Sequence, residues 1–532
     1  MTWLSLFGDC SQVVLTSNVS DHAPLLVVSD SIPRLPNAPF RLQRLWLEHH
    51  NFLSVVEGSW KERLCSSPPY ILAQKLKRLK PTLRAWAKEN YPNLEVQLSS
   101  TKNALEAVQV EIDCSGMTDQ LFEHEVEAKK AHAMATKHFE KLWAEKSRVK
   151  RKLLGDRCSK FFHLSTKLRR ARNTIRTLIK EDGNILVDQD QIKQYVEEYF
   201  ENFHKAVEVT KHEELLNCIP RVLEDIDIFR LDSVPGDSEI RAAVWDLDPD
   251  SAPGLNDFPG AFFRACWEVV GSDVCNAARY FFFSGRIPLG INNCFLALIP
   301  KTEGATSFNK FRPLCMGNFF YKMLSKVMAR RLELVLPRLI SQEQGAFQKG
   351  KFIQDNISLA SELANMLSSA TRGGGLGLKI DIQKAYDTIL WAFIFKVLKF
   401  GFSERGLTSL LNGRKILPLR GPRGVQTPGH CLFADDIFIF TNASLRRQAI
   451  LEELQISVCR FTTRYLGVEI AKGYVKKNML PPVLDRVRHK LAGWKGKLLS
   501  MAGRVELVKT MVSSMPIHSF SVYWWPPPCS PP

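Results

Sequence analysis

LKIDIQKAYD (378–387) and CLFADDIFIF (431–440) are the stretches on which the fold turns. In the first, Leu378, Ile380 and Ile382 alternate with Lys379 and Asp381, the period-two pattern of a half-buried strand. In the second, Asp435 and Asp436 lie between two apolar, β-prone runs, Cys431 to Ala434 and Ile437 to Phe440, which predicts a hairpin with an acidic tip. If the two stretches are neighbouring strands, three carboxylates share one small volume. Like charges so close call for a cation, and hard oxygen donors select Mg²⁺ or Mn²⁺. Two such ions about 4 Å apart are a common device for in-line transfer at a phosphate. The plainer reading is a turn: Asp-Asp is a frequent turn pair, and a lone strand Asp can simply face water.

The surrounding composition points toward a polyanion. The 532 residues suffice for two to four domains, and a 45% hydrophobic share argues against wholesale disorder. Net charge is +17, and it is concentrated. Residues 141–180 hold 14 Lys/Arg against 2 acids, and residues 464–510 hold 11 against 3. Twelve cysteines show no C-x-x-C pair or zinc-type Cys/His spacing, which suggests reduced thiols and a nuclear or cytoplasmic setting. No secretory leader is evident, and no apolar run reaches the roughly 20 residues of a membrane span, so no membrane partner is expected.

The words themselves resemble a family. LKIDIQKAYD and LFADD resemble motifs A and C of reverse transcriptases, in the version carried by LINE-type (non-LTR) retrotransposons of plants. The longest similar stretch is 297–363, from ALIPK through FRPLCMGNFFYKMLSKVMARRLE to GAFQKGKFIQDNI, followed by RYLGVEIAKGY and the stretch to 515. Ala252-Pro253-Gly254 with Asp257 and Pro259 resembles a further signature of these elements, and Lys351 stands where they usually carry Arg.

That resemblance implies an α+β right-hand polymerase of fingers, palm and thumb, behind a long basic helical linker and a remnant of an α/β endonuclease domain. The implied division is 1–35 endonuclease remnant, 36–235 linker, 236–375 extension and fingers, 376–463 palm, 464–522 palm hairpin and thumb, and 523–532 a Pro-rich tail. Asp381, Asp435 and Asp436 are then the catalytic ligands of two Mg²⁺ or Mn²⁺ ions. The implied partners are an RNA template, a DNA primer and deoxynucleoside triphosphates; oligomeric state is left open. Lys301 and Arg312 are placed to meet the triphosphate, their alternative being ordinary surface charge. Tyr386 is the bulky gate beside the nucleotide sugar, or else a packed core tyrosine. Asp387 is expected to cap a helix beginning near Thr388.

The linker and thumb supply the nucleic-acid contacts. ILAQKLKRLKPTLRAWAKEN (71–90) has helical spacing with a bend expected at Pro81, and 121–154 reads as a helical hairpin or coiled segment. In 155–175, Phe161 and Phe162 interleave with Lys160, Arg169, Arg170 and Arg172, which suits charge for phosphates and rings for stacking, or a solvated basic face over a small core. Lys490, Trp494, Lys495 and Lys497 form a similar basic surface near the C-terminus. Residues 178–205 predict strand, Asp-Gly turn, strand and amphipathic helix, 206–235 a loop, and 238–270 helix, loop, helix. Asp21 and His22, ahead of LLVV (25–28), resemble the last motif of the endonuclease, with too little chain before them for a working nuclease; taken alone they are an ordinary pre-strand turn.

One departure matters. Gln426 leads through Thr-Pro-Gly to His430 and motif C, where the family has a glycine-bearing loop and a long helix, motif B, that hold the template–nucleotide pair. Three readings follow: an active reverse transcriptase, a catalytically impaired product that still binds nucleic acid, and a retained RNA-binding protein.

Overall fold

The computed structural model describes residues 11–14, 25–28, 40–147, 173–205, 223–302, 304–367, 375–382, 385–390, 428–442 and 462–471, with isolated positions between them. Asp21, His22, Lys160, Arg172, Lys490, Trp494, Lys495 and Lys497 lie outside the described residues.

In chain order, β1 (Ser11–Val14) pairs antiparallel with β2 (Leu25–Val28). Helix α1 (Phe52–Trp60) precedes α2 (Pro68–Asn90), which opens with proline at its first turn, where a missing N–H is harmless. Leu72, Leu76, Leu79, Leu83 and Trp86 fall at helical spacing and are buried. Pro81 sits on the exposed face, and α2 continues through it as one helix because the buried leucines on either side hold the turn in place. Helix α3 (Leu94–Ser115) is capped by the Asn93 side chain, which accepts from the Glu95 N–H at 3.1 Å. After a Gly116 turn it runs antiparallel to α4 (Asp119–Ser147), with Thr101 meeting His132 and Gln109 meeting Glu125; the described part of 121–154, up to Ser147, is thus one continuous helix whose hairpin partner is α3.

Next come β3 (Leu178–Ile179), β4 (Ile185–Leu186) and α5 (Gln189–Phe203), the expected strand–turn–strand–helix. The expected loop over 206–235 is corrected in its described part: Asp225–Asp232 is a helix, α6. Its Asp227 is buried against Arg338 Nη2 at 2.6 Å, a long-range pair that polar composition hides. Helices α7 (Asp237–Asp246), α8 (Gly260–Ala265) and α9 (Trp267–Ser284) follow, then the antiparallel hairpin β5 (Phe295–Pro300) and β6 (Phe311–Met316). Helices α10 (Phe319–Leu339) and α11 (Ile353–Met366) lead to β7 (Gly375–Asp381) and the short α12 (Ala385–Thr388). Asp387 is inside α12, so it does not precede and cap a helix at Thr388. The last strands are β8 (His430–Phe433), β9 (Asp436–Asn442), β10 (Thr462–Tyr465) and β11 (Val468–Ala471).

The chain divides into two compact units, one built mainly of Met1–Phe203 and Ser233–Met328, the other mainly of His204–Asp232 and Ala329–Gly496. In the first, one core runs from Phe40, Trp46, Phe52 and the α2 leucines to Phe258, Phe262, Phe263, Phe319 and Met323. Gly254, in the left-handed region at φ 72°, approaches Gly317 so closely that a Cβ would lie 2.5 Å from its carbonyl oxygen, which accounts for glycine in the Ala-Pro-Gly signature. A smaller core joins Leu178, Leu186 and Ile192 to Phe308 and Phe311. In the second unit, a three-stranded antiparallel sheet of order β7–β9–β8 packs with α11 and the β10–β11 hairpin around Phe438, Phe440 and Tyr465.

Candidate active site and nucleic-acid contacts

The acidic hairpin forms as its sequence predicts. The apolar runs become β8 and β9, and Ala434-Asp435 makes the turn between them. Ala434 takes φ 55°, the left-handed region that lets so short a connection reverse the chain. Strand β7 lies on the other side of β9, and the register pairs Asp381 directly with Asp436. Residues opposite one another on an antiparallel pair project from the same face, so these two carboxylates are neighbours. Asp435 is exposed at the turn, and its carbonyl accepts from the Ile382 N–H at 3.5 Å.

Charge confirms the crowding. Burial raises the Asp436 carboxyl, the charges of Asp381 and Asp435 raise it further, and Lys379 opposes them. Lys379 Nζ lies 3.8 Å from Asp436 Oδ1 and donates to the Arg464 carbonyl at 2.8 Å. Its ammonium thus supplies part of the positive charge the acids require. Among the described residues, no three His, Cys, Asp or Glu side chains converge as a ready-made ion cage. The donor set nonetheless fits Mg²⁺ or Mn²⁺: it is all-oxygen, and magnesium is commonly held by one or two carboxylates with substrate phosphates and water completing the shell.

A bracket outside the predicted motifs holds the turn. The buried Gln344 side chain accepts through Oε1 from Ala434 N–H at 2.9 Å and from Ala346 N–H at 3.0 Å. Gly345 N–H and Asn356 Nδ2 both donate to the Leu432 carbonyl, at 2.9 and 2.6 Å, while Leu432 N–H donates to Glu343. A Cβ on Gly345 would meet Asn356 Nδ2 at 2.4 Å, so the close approach requires glycine. The sequence marks 346–356 only as part of a signature; the amides Gln344, just before it, and Asn356, at its end, are the signal that could have pointed to these bonds.

The remaining predicted residues are distributed as follows. Tyr386 is 95% exposed, which sets aside the packed-core alternative. Lys301 and Arg312 are exposed on the β5–β6 hairpin of the first unit, where Arg312 pairs with Ile299 and Lys301 Nζ donates to the Asn309 carbonyl at 3.0 Å. Arg169 spends its guanidinium on the carbonyls of Ser147 and Lys146 at the end of α4, at 2.5 and 2.6 Å, a helix-capping role. Arg170 is exposed. No helix among the described residues is long and apolar enough to cross a membrane.

Residues 299–427 match the reverse transcriptase (RNA-dependent DNA polymerase) family. The chain is also similar, at 25% identity over 73% of its length, to the 149 kDa protein of transposon TX1 of Xenopus laevis. A 22% identical stretch covering 36% of the chain relates it to the 115 kDa protein of the type-1 retrotransposable element R1DM of Drosophila melanogaster. A shorter stretch, 42% identical over 10% of the chain, is similar to a ribonuclease H protein of Arabidopsis thaliana. These matches span 30%, 19% and 8% of the relatives' own lengths. The chain thus carries a reverse transcriptase domain, with relatives named as transposon and retrotransposon proteins. The family match stops three residues before β8, so Asp381 is inside it and the Asp435–Asp436 turn is outside.

Proposed function

We propose that this chain is the polymerase part of a LINE-type, non-LTR retrotransposon protein of plant descent, impaired in catalysis but competent to bind nucleic acid. The carrying observation is the register of Asp381 opposite Asp436 in a chain whose 299–427 match reverse transcriptases. On this reading the β7–β9–β8 sheet is the palm, and Asp381, Asp435 and Asp436 hold Mg²⁺ or Mn²⁺. Bound there, such ions would neutralise phosphate charge and favour the ionised primer 3′-hydroxyl. The chain's own part is positional. The Gln344 bracket fixes the turn, and Tyr386 stands exposed beyond Asp381, as a gate against a 2′-hydroxyl requires. Lys301 and Arg312 offer cations for a triphosphate.

Impairment is supported by the short passage from 427 to His430, where the family match ends and motif B has no room. A polymerase needs its template–nucleotide pair held to a fraction of an ångström, and losing the helix that does so is expected to be disabling. Primer extension on oligo(dT)-primed poly(A) with Mg²⁺, beside Asp435→Asn, tests this. Template binding without extension is the expected result. Extension that Asp435→Asn abolishes would overturn the impairment and leave an active enzyme.

A further inference from the structure

We infer that Phe347 is a stacking platform for an unpaired base of a single-stranded RNA template, presented by the loop that clamps the acidic turn. The inference rests on the nucleic-acid-binding reading above and deepens it. Phe347 combines two unfavourable features. Its ring is 93% exposed, and its backbone takes φ 59°, a conformation that bulky side chains avoid. Neither follows from a loose loop. Gln344, three residues earlier, is buried and bonded to Ala434; Gln348 Nε2 donates to the Gln344 carbonyl at 2.9 Å; Lys351 Nζ donates to the Gln342 carbonyl at 3.0 Å. A tied-down loop therefore holds an apolar ring out into water at a backbone angle glycine would adopt without strain.

The surroundings choose the ligand. The loop is hydrogen-bonded to the β8 edge and to the turn that carries Asp435. Two residues on in the chain, the Lys349 side chain is 89% exposed, with a 3.9 Å approach to Glu333. An exposed apolar ring and an exposed ammonium on one tied-down loop suit a base with its phosphate: every base offers a π-face, and single strands leave it uncovered. Duplex bases are already stacked and give such a ring nothing to cover.

The test uses the full chain with fluorescently labelled oligo(A) RNA containing 2-aminopurine, against the same sequence as a duplex. The variants are Phe347→Gly, Phe347→Ala and Phe347→Trp, each with a thermal melt. Expected is a loss of about tenfold or more in single-strand affinity for Phe347→Gly and Phe347→Ala, near-parental affinity for Phe347→Trp with quenched 2-aminopurine, and duplex affinity within about twofold. Phe347→Gly should melt no lower than the parent, since it removes the strained backbone, so lost binding could not be ascribed to unfolding. Parental RNA binding with unchanged affinity in Phe347→Ala and Phe347→Gly would overturn the stacking role alone. An equal loss on duplex, or in Phe347→Trp, would also overturn it. Failure of the parental chain to bind RNA at all would overturn both this inference and the reading beneath it.

Discussion

Asp436 is a residue at which stability and chemistry pull in opposite directions. Burial and two neighbouring carboxylates raise its folded-state pKa, and Lys379 only partly compensates. The native state therefore holds this proton more tightly than the unfolded chain does. Between the ordinary aspartate value and the raised one, stability falls as pH rises. Asp436→Asn removes the ionisation and should raise the melting temperature near neutral pH, while below the ordinary aspartate range parent and variant should converge. Melts across that range check this; a variant less stable than the parent at neutral pH would show that the Lys379 contact outweighs the crowding. An acid held against such opposition is what a cation-binding site looks like before the cation is considered.

At the scale of elements, the acidic hairpin depends on a segment distant in sequence. Its turn needs a left-handed Ala434, and the buried Gln344 oxygen satisfies that residue's N–H. Gln344→Ala leaves the Ala434 and Ala346 amides without this acceptor, a loss of about 1–3 kcal/mol. Chemical denaturation should report it, with the change confined to the midpoint; an unchanged midpoint would mean water replaces the side chain. The hairpin itself was legible from sequence because two alternating apolar runs meeting at Asp435-Asp436 leave few other arrangements. The β3–β4–α5 unit was legible for the same reason: local periodicity and a turn residue decide it. What stayed hidden was long-range. The Gln344–Ala434 contact spans 90 residues. The Asp227–Arg338 pair that secures α6 spans 111. The cap that Arg169 places on α4 is a second use for a cation expected to meet phosphate. Composition cannot distinguish a guanidinium that meets a carbonyl from one that meets a phosphate. The helical spacing across Pro81 did carry, since Leu79 and Leu83 on either side of it are buried.

For the whole molecule, the deciding quantity is where the +17 charge acts. Single-stranded nucleic acid binding weakens with salt by a slope near −0.7 for each phosphate neutralised, so basic zones can be counted by titration. Arg148, Lys150, Arg151 and Lys152 fall in the 141–180 zone, which carries 14 cations and 2 acids. Changing all four to Gln should make the slope of log affinity against log salt shallower by about 3 if each meets a phosphate. Lys102 and Lys129 are the comparison: they are ion-paired to Glu106 and Glu125 on the α3–α4 hairpin, at 3.2 and 2.8 Å. A cation already paired along its own helix releases few counterions from the nucleic acid, so changing these two to Gln should leave the slope within experimental scatter. Equal flattening per charge removed in both sets would mean that net charge alone draws the RNA. Flattening confined to the 148–152 set would make that run a nucleic-acid surface, and would explain the excess of 14 cations over 2 acids in the 141–180 zone.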